Sequence, residues 1–151
     1  MCRGEAVVAR ARALVGTRFR AQGREPDGVD CVGLVAAALG REGARRDYAL
    51  RGGCLAALEA ELKRAGLVLV SELAAGDVLV MQAGPGQLHL GVWTGSGLVH
   101  ADAGLRRVAE RPGPVPWPVL GVWRECAFAA GPSAIGCADG PPPPRFAPGR
   151  I

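Results

Sequence analysis

The sequence predicts an α+β domain in which N-terminal helices pack on an antiparallel sheet of five to six strands. Two observations carry this. Up to about residue 66 the apolar residues recur at helical spacing; from about residue 77 they fall in short β-rich segments separated by Gly or Pro. Helices first and strands afterwards, without βαβ alternation, argue for α+β. With 151 residues, 49% hydrophobic and 21% charged, the chain is globular in composition and long enough to bury one core.

In "EAVVARARALV" (5–15), Val7, Val8, Ala11, Leu14 and Val15 form one helical stripe, which Gly16 ends. "GTRFRAQGREPDG" is a loop by its Gly, Pro and Asp content. A second helix runs from about Cys31 to Leu39, closed by Gly40 and Gly43. A third covers 54–66, with Leu55, Leu58 and Leu62 inward and Gly66 as its stop. The strands are "DVLVMQ" (77–82), "LHLGVWT" (88–94), "GLVHADA" (97–103), "LRRVAER" (105–111) and "VLGVWRE" (119–125). From residue 126 the periodicity is lost and "PPPP" favours extended polyproline, so the organisation is a domain at 1–125 and a Pro/Gly-rich tail at 126–151.

Composition excludes several classes. Net charge is +4, and all but Lys63 of the 18 basic residues are arginine, scattered rather than massed with aromatics as in a nucleic-acid interface. No apolar run approaches the ~18–20 residues that span a bilayer. "MCRGEAVVARARALVG" has no uninterrupted apolar core, so no signal peptide is expected. Five cysteines at 2, 31, 54, 126 and 137, with no C-x-x-C, imply neither a complete disulfide framework nor a zinc knuckle, and a metal site built from Cys and the two histidines has no recognisable spacing behind it.

The segment "HLGVWTGSGLVH" (89–100) has a determinable register. With the turn centred on Gly95 and Ser96, Trp93 faces Leu98, Gly91 faces His100 and His89 faces Asp102. His89 and His100 are then diagonal neighbours on one face, with room left by Gly91. Leu88, Leu90 and Val92 point to the opposite, core-facing side. Two histidines also share a face by chance, and the pairing gains meaning only from a cysteine upstream.

That cysteine opens a helix in "DGVDCVGLV" (27–35). Two readings of Cys31 fit the residues alone. One is a buried small hydrophobe. The other is a nucleophile, with its backbone N–H at the helix head as oxyanion donor. The helix N-terminus favours a thiolate by only about 0.3–1 kcal/mol, so activation requires an imidazolium partner. His89 fits that part, as base and then acid, with His100 orienting its other ring nitrogen. Cys2, Cys54, Cys126 and Cys137 have no comparable surroundings.

"VGTRF" (15–19), "DCVGLV" (30–35), "AGDVLVM" (75–81), "HLGVW" (89–93) and "GLVHA" (97–101), in this order, resemble the NlpC-type cell-wall peptidases, papain-like cysteine enzymes. "LGVWR" (120–124) resembles the closing strand of their phage-derived branch. The resemblance covers about residues 5–125. It implies a papain-like fold and hydrolysis of the peptidoglycan stem peptide, typically between D-glutamate and the diamino acid, with no metal or cofactor expected. Cys31 takes the nucleophile position, His89 the base and His100 the third residue, while Asp30 supports the nucleophile; Trp93 and Asp102, on the histidine face, complete the expected substrate contacts. In the phage-like branch such proteins ride on a tail or gene-transfer particle among hub proteins. The implied location is synthesis in the cytoplasm and action on the wall in the periplasm.

One position departs from the family pattern. A tyrosine whose hydroxyl supports the oxyanion usually precedes the nucleophile, and here Phe19 stands in its place, with Gln22 and Tyr48 as substitute donors. Three functional readings follow: a cysteine endopeptidase, a non-catalytic tail or hub protein that keeps the fold, and a related cell-wall amidase.

Overall fold

The computed structural model describes residues 2–25, 27–41 and 53–126. Tyr48, Cys137 and the tail beyond residue 126 lie outside the described residues.

Helix α1 (Arg3–Ala13) begins where Glu5 Oε2 accepts the Cys2 N–H at 2.9 Å, and it buries Val7, Val8 and Ala11. It ends two residues before the predicted limit, leaving Val15 44% exposed rather than on the buried stripe. The cause is local: Gly16, at φ +90°, turns the chain and donates its N–H to Val108 O at 2.9 Å. Helix α2 (Cys31–Ala38) is apolar throughout and buries Cys31, Gly33, Leu34, Val35, Ala36 and Ala38. A helix hydrophobic on all sides belongs inside, and α2 lies between α1 and the sheet. Arg10 Nε donates to Ala38 O at 2.7 Å, satisfying one of the carbonyls at its C-terminal end. Helix α3 (Leu55–Arg64) buries Leu62, with Leu55 and Leu58 partly covered.

A short ribbon of β1 (Arg24–Glu25) and β2 (Gly28–Val29) precedes α2. The main sheet contains β3 (Leu67–Val70), β4 (Val78–Gly84), β5 (Gln87–Trp93), β6 (Gly97–Asp102), β7 (Arg107–Pro112) and β8 (Val119–Glu125), in the order β3-β8-β4-β5-β6-β7. Every neighbouring pair is antiparallel. Strand β3 and the small ribbon are additions to the predicted elements. "LVLV" follows the helix stop at Gly66 directly, and its burial on β8 comes from a partner more than fifty residues away.

The sheet has two apolar faces. Val78, Val80, Leu90, Val92, Val99, Ala101, Val108 and Trp123 pack with Val7, Ala11, Cys31 and Leu34 on the helix side. Leu79, Met81, Leu98 and Val122 form a smaller cluster on the other, with Trp93 and Trp117 against it. The "AGD" segment (75–77) joins these layers. A Cβ on Gly76 (φ +93°) would lie 2.4 Å from Gly4 Cα, so the head of α1 seats against this turn only because both residues are glycine. Buried Asp77 then receives Arg124 Nε at 2.8 Å and Nη2 at 2.9 Å, together with the Ala74 N–H at 2.7 Å. Its carboxylate fastens β4 to β8.

Candidate active site

The head of α2 is built by Asp30. Its Oδ1 accepts the Gly33 N–H at 2.8 Å, which caps the helix, and its Oδ2 accepts the Gln22 N–H at 2.8 Å. Arg24 Nη1 donates to Oδ1 at 2.9 Å, in an ion pair whose side chains are 9% and 6% exposed. The loop before α2 is thereby tied to the helix. Gly33 completes the fit: a Cβ there would stand 2.2 Å from Gly23 O, so the loop could not approach any other residue so closely.

Cys31 follows as the first residue of α2, only 2% exposed. Burial pushes its thiol up to about 12; the Leu90, Val32 and Cys31 N–H groups favour the anion, while the Asp30 carboxylate opposes it. The Leu90 N–H reaches Cys31 because β5 and β6 separate early. Their registered pairs are Val92↔Val99 and Trp93↔Leu98, beside the turn, and the ladder does not continue to the histidines.

Where the strands part, His89 Nε2 and His100 Nδ1 lie 3.0 Å apart, with the rings perpendicular and their centroids 5.2 Å apart. Asp102 Oδ2 is 3.9 Å from His100 Nε2. Trp117 covers both rings edge-on, its centroid 5.1 Å from His89 and 5.3 Å from His100. Burial holds His89 down to about 4, and His100 adds to this while Asp102 opposes it. Burial also lowers His100; Asp102 counteracts this and Arg111 reinforces it. Burial thus favours the neutral form of the thiol and of both imidazoles.

Cys31, His89 and His100 border one cavity of about 650 Å³, together with Phe19, Gln22, Asp30, Asp102 and Trp117. The structure therefore brings together every predicted site residue it describes except Trp93. Trp93 does share the histidine face, but it packs with the Leu79, Met81, Leu98 and Val122 cluster. Space above Gly91 is likewise taken by Leu98, whose Cδ1 would lie 2.6 Å from a Cβ there. The residue missed from sequence is Trp117. It sits in "VPWPV" (115–119), where its two flanking prolines were the available signal that the ring is held in a fixed loop. Among the described residues no cluster of three or more His, Cys, Asp or Glu could hold a metal ion, and no helix is long and apolar enough to cross a membrane.

Comparison with known proteins bears on the family and the fold. Curated protein sequences give no match. Among solved structures, NlpC1 from Trichomonas vaginalis superposes with a TM-score of 0.61 at 20% identity, over 81% of this chain and 45% of that one. The chain spans about half the length of that protein and of its companion NlpC2, 48% of which is covered. The NlpC/p60 domain of the peptidoglycan hydrolase SagA is 26% identical, with a TM-score of 0.50 over 72% of this chain and 88% of that one. RipD from Mycobacterium tuberculosis, described as a non-catalytic NlpC/p60 domain protein adapted to peptidoglycan binding, matches at 17% identity and a TM-score of 0.50, over 82% and 96%. The sequence pattern of the NlpC/P60 family matches residues 16–112, a span that holds the α2 head and both histidines. On that match, supported by the sheet and helix arrangement, the chain belongs to the NlpC/P60 family and has the fold of its cell-wall hydrolases.

Proposed function

We propose that the protein is a cysteine peptidase that hydrolyses the peptidoglycan stem peptide, at the bond between D-glutamate and the diamino acid, through Cys31, His89 and His100. The observation that carries this reading is the meeting of the α2 head with the His89–His100 pair in one cavity. With His89 Nε2 turned to His100, Nδ1 is the nitrogen left to act as base. It takes the Cys31 proton as sulfur attacks the scissile carbonyl, then gives it to the leaving amine. Water, activated by the same nitrogen, hydrolyses the resulting thioester. The Cys31 N–H lies in the first turn of α2, where N–H groups lack intrahelical acceptors, and it serves the oxyanion. Because the resting groups are neutral, proton transfer accompanies attack rather than preceding it.

A second reading has its own support. Phe19 borders the cavity without a hydroxyl, and the thiol is held neutral, as would suit a domain that binds wall peptide without cleaving it. An amidase using the same residues would differ only in its products. The delivery route we assign is a phage tail or gene-transfer particle, on the resemblance of "LGVWR" in β8; co-sedimentation with particles tests it. The function itself is tested by digesting purified peptidoglycan with the wild type and with Cys31→Ala, identifying products by mass spectrometry. Stem-peptide fragments from the wild type alone are expected. No fragments from a folded wild type would favour the binding reading, and release of intact stems from glycan would indicate the amidase.

A further inference from the structure

Strand β7 is the last strand of the six-stranded sheet, beside the β6 strand that carries His100; the 16–19 segment bridges its outer edge at Arg107, and its register places charge on the sheet face. His100 pairs with Ala109, Asp102 with Arg107 and Leu98 with Arg111. Paired residues share a face, so Arg107 and Arg111 stand on the histidine side as the two diagonal neighbours of His100. Both are exposed, and neither joins an ion pair among the described residues. Glu110, between them, points to the other face and is taken by Arg12 at 2.8 Å. Burial lowers His100; the Asp102 carboxylate, 3.9 Å away and paired across the strands with Arg107, counteracts this, and Arg111 adds to the lowering. Arg111 and Arg107 thus put two exposed guanidiniums on the face that carries the histidines.

We propose that the histidine-side face of β7, through Arg111 and Arg107, is a subsite for the free carboxylates of the stem peptide. This rests on the stem-peptide reading of the cavity and deepens it. A D-glutamate joined through its side chain keeps its α-carboxylate close to the scissile carbonyl, and the diamino acid carries another. A guanidinium matches a carboxylate with two parallel N–H···O bonds. Bound there, the carboxylate offsets the arginine charge on this face. The protein is therefore selective for unamidated stems.

The test uses two soluble stem tripeptides, one with D-glutamate and one with D-isoglutamine, titrated calorimetrically into Cys31→Ala and supplied to the wild type for cleavage. The free carboxylate is expected to bind roughly tenfold more tightly, the gain of one charge-assisted contact. Arg111→Gln, alone and with Arg107→Gln, in the Cys31→Ala background is expected to bring the two affinities within about twofold, with thermal melting confirming folding. Equal affinities for the two peptides, or a preference that survives the double substitution, overturns the subsite. Absence of cleavage by the wild type instead overturns the peptidase reading while leaving the binding comparison in force. Equal loss of binding to peptide-free wall polymer in the double variant would also overturn the subsite, by making the strand a general polyanion surface.

Discussion

His89 Nε2 lies 3.0 Å from His100 Nδ1, within hydrogen-bonding distance. One of the two nitrogens must carry the hydrogen. If His89 donates, His100 carries its own proton on Nε2, facing Asp102 Oδ2 at 3.9 Å. His89 Nδ1 is then bare and basic. In that tautomer His89, His100 and Asp102 share one polarity.

That polarity implies mutual dependence. His89→Ala is expected to lower kcat/KM on a stem peptide by about 10²–10⁴-fold, the usual scale of general-base catalysis. His100→Ala should also lower it, and the double variant should be no slower than His89→Ala alone, because members of such a set act as a unit. Losses that multiply would show that the two histidines work separately.

The neutral resting state has a direct chemical signature. With the thiol pushed up to about 12, alkylation of Cys31 by iodoacetamide is expected to be slow at pH 7 and to climb continuously above pH 9. A plateau of fast alkylation between pH 5 and 8 would reveal a resting thiolate–imidazolium pair and refute the neutral description.

Stability should follow the same groups. His89 is held at about 4, below its ordinary 6.5, so the unfolded chain takes up the proton first as pH falls. Its contribution is complete above pH 6.5 and is lost as pH drops through 4, a change of about 3 kcal/mol at most. Urea denaturation of the wild type and His89→Gln between pH 7 and 4 checks this. The wild type should lose more stability over that window, and parallel curves would refute it.

Asp30 is expected to matter for folding more than for chemistry. Removing it by Asp30→Ala uncaps α2, frees the Gln22 N–H and deprives a nine-tenths-buried Arg24 of this carboxylate. The expected loss is about 3–5 kcal/mol in urea denaturation. Adding Arg24→Met should recover part of it; if the single variant loses less than 1 kcal/mol, the network is not what positions the α2 head.

Much of this was legible in the sequence because it depends on local alternation. The turn at Gly95–Ser96 fixed the pairing of Trp93 with Leu98, and the structure has that pair. Alternation alone could not show that β5 and β6 separate beyond Val92, which turns the Leu90 N–H to the thiol and lets Leu98 occupy the space above Gly91. Trp93 shows the same limit: period two gives its face, whereas its neighbours depend on how β4 and β8 lie beneath it. Charge states were the least legible, since they follow from burial by residues distant in the chain.

Phe19 provides a gain-of-function experiment. Its ring borders the cavity and packs against the helix-side core, so a hydroxyl added at its tip costs little packing. Supplying one oxyanion donor is expected to raise kcat by roughly 10²-fold, the low end of what removing such a donor costs. Phe19→Tyr with unchanged kcat would mean that the cavity already has a second donor, with Gln22 the first to substitute.

Trp117 controls how dry the pair is. Its ring lies across both imidazoles, and burial is the leading cause that keeps each of them neutral. In Trp117→Ala, water reaches the histidines and His89 moves back from about 4 toward its ordinary 6.5. A neutral base is needed for attack, so the rising limb of the kcat/KM profile should shift to higher pH by one to two units, about the range over which solvation is restored. Activity would then fall most below pH 6 and least above pH 8. A uniform loss at every pH would mean that Trp117 holds the substrate in place and leaves the solvation of the histidines unchanged.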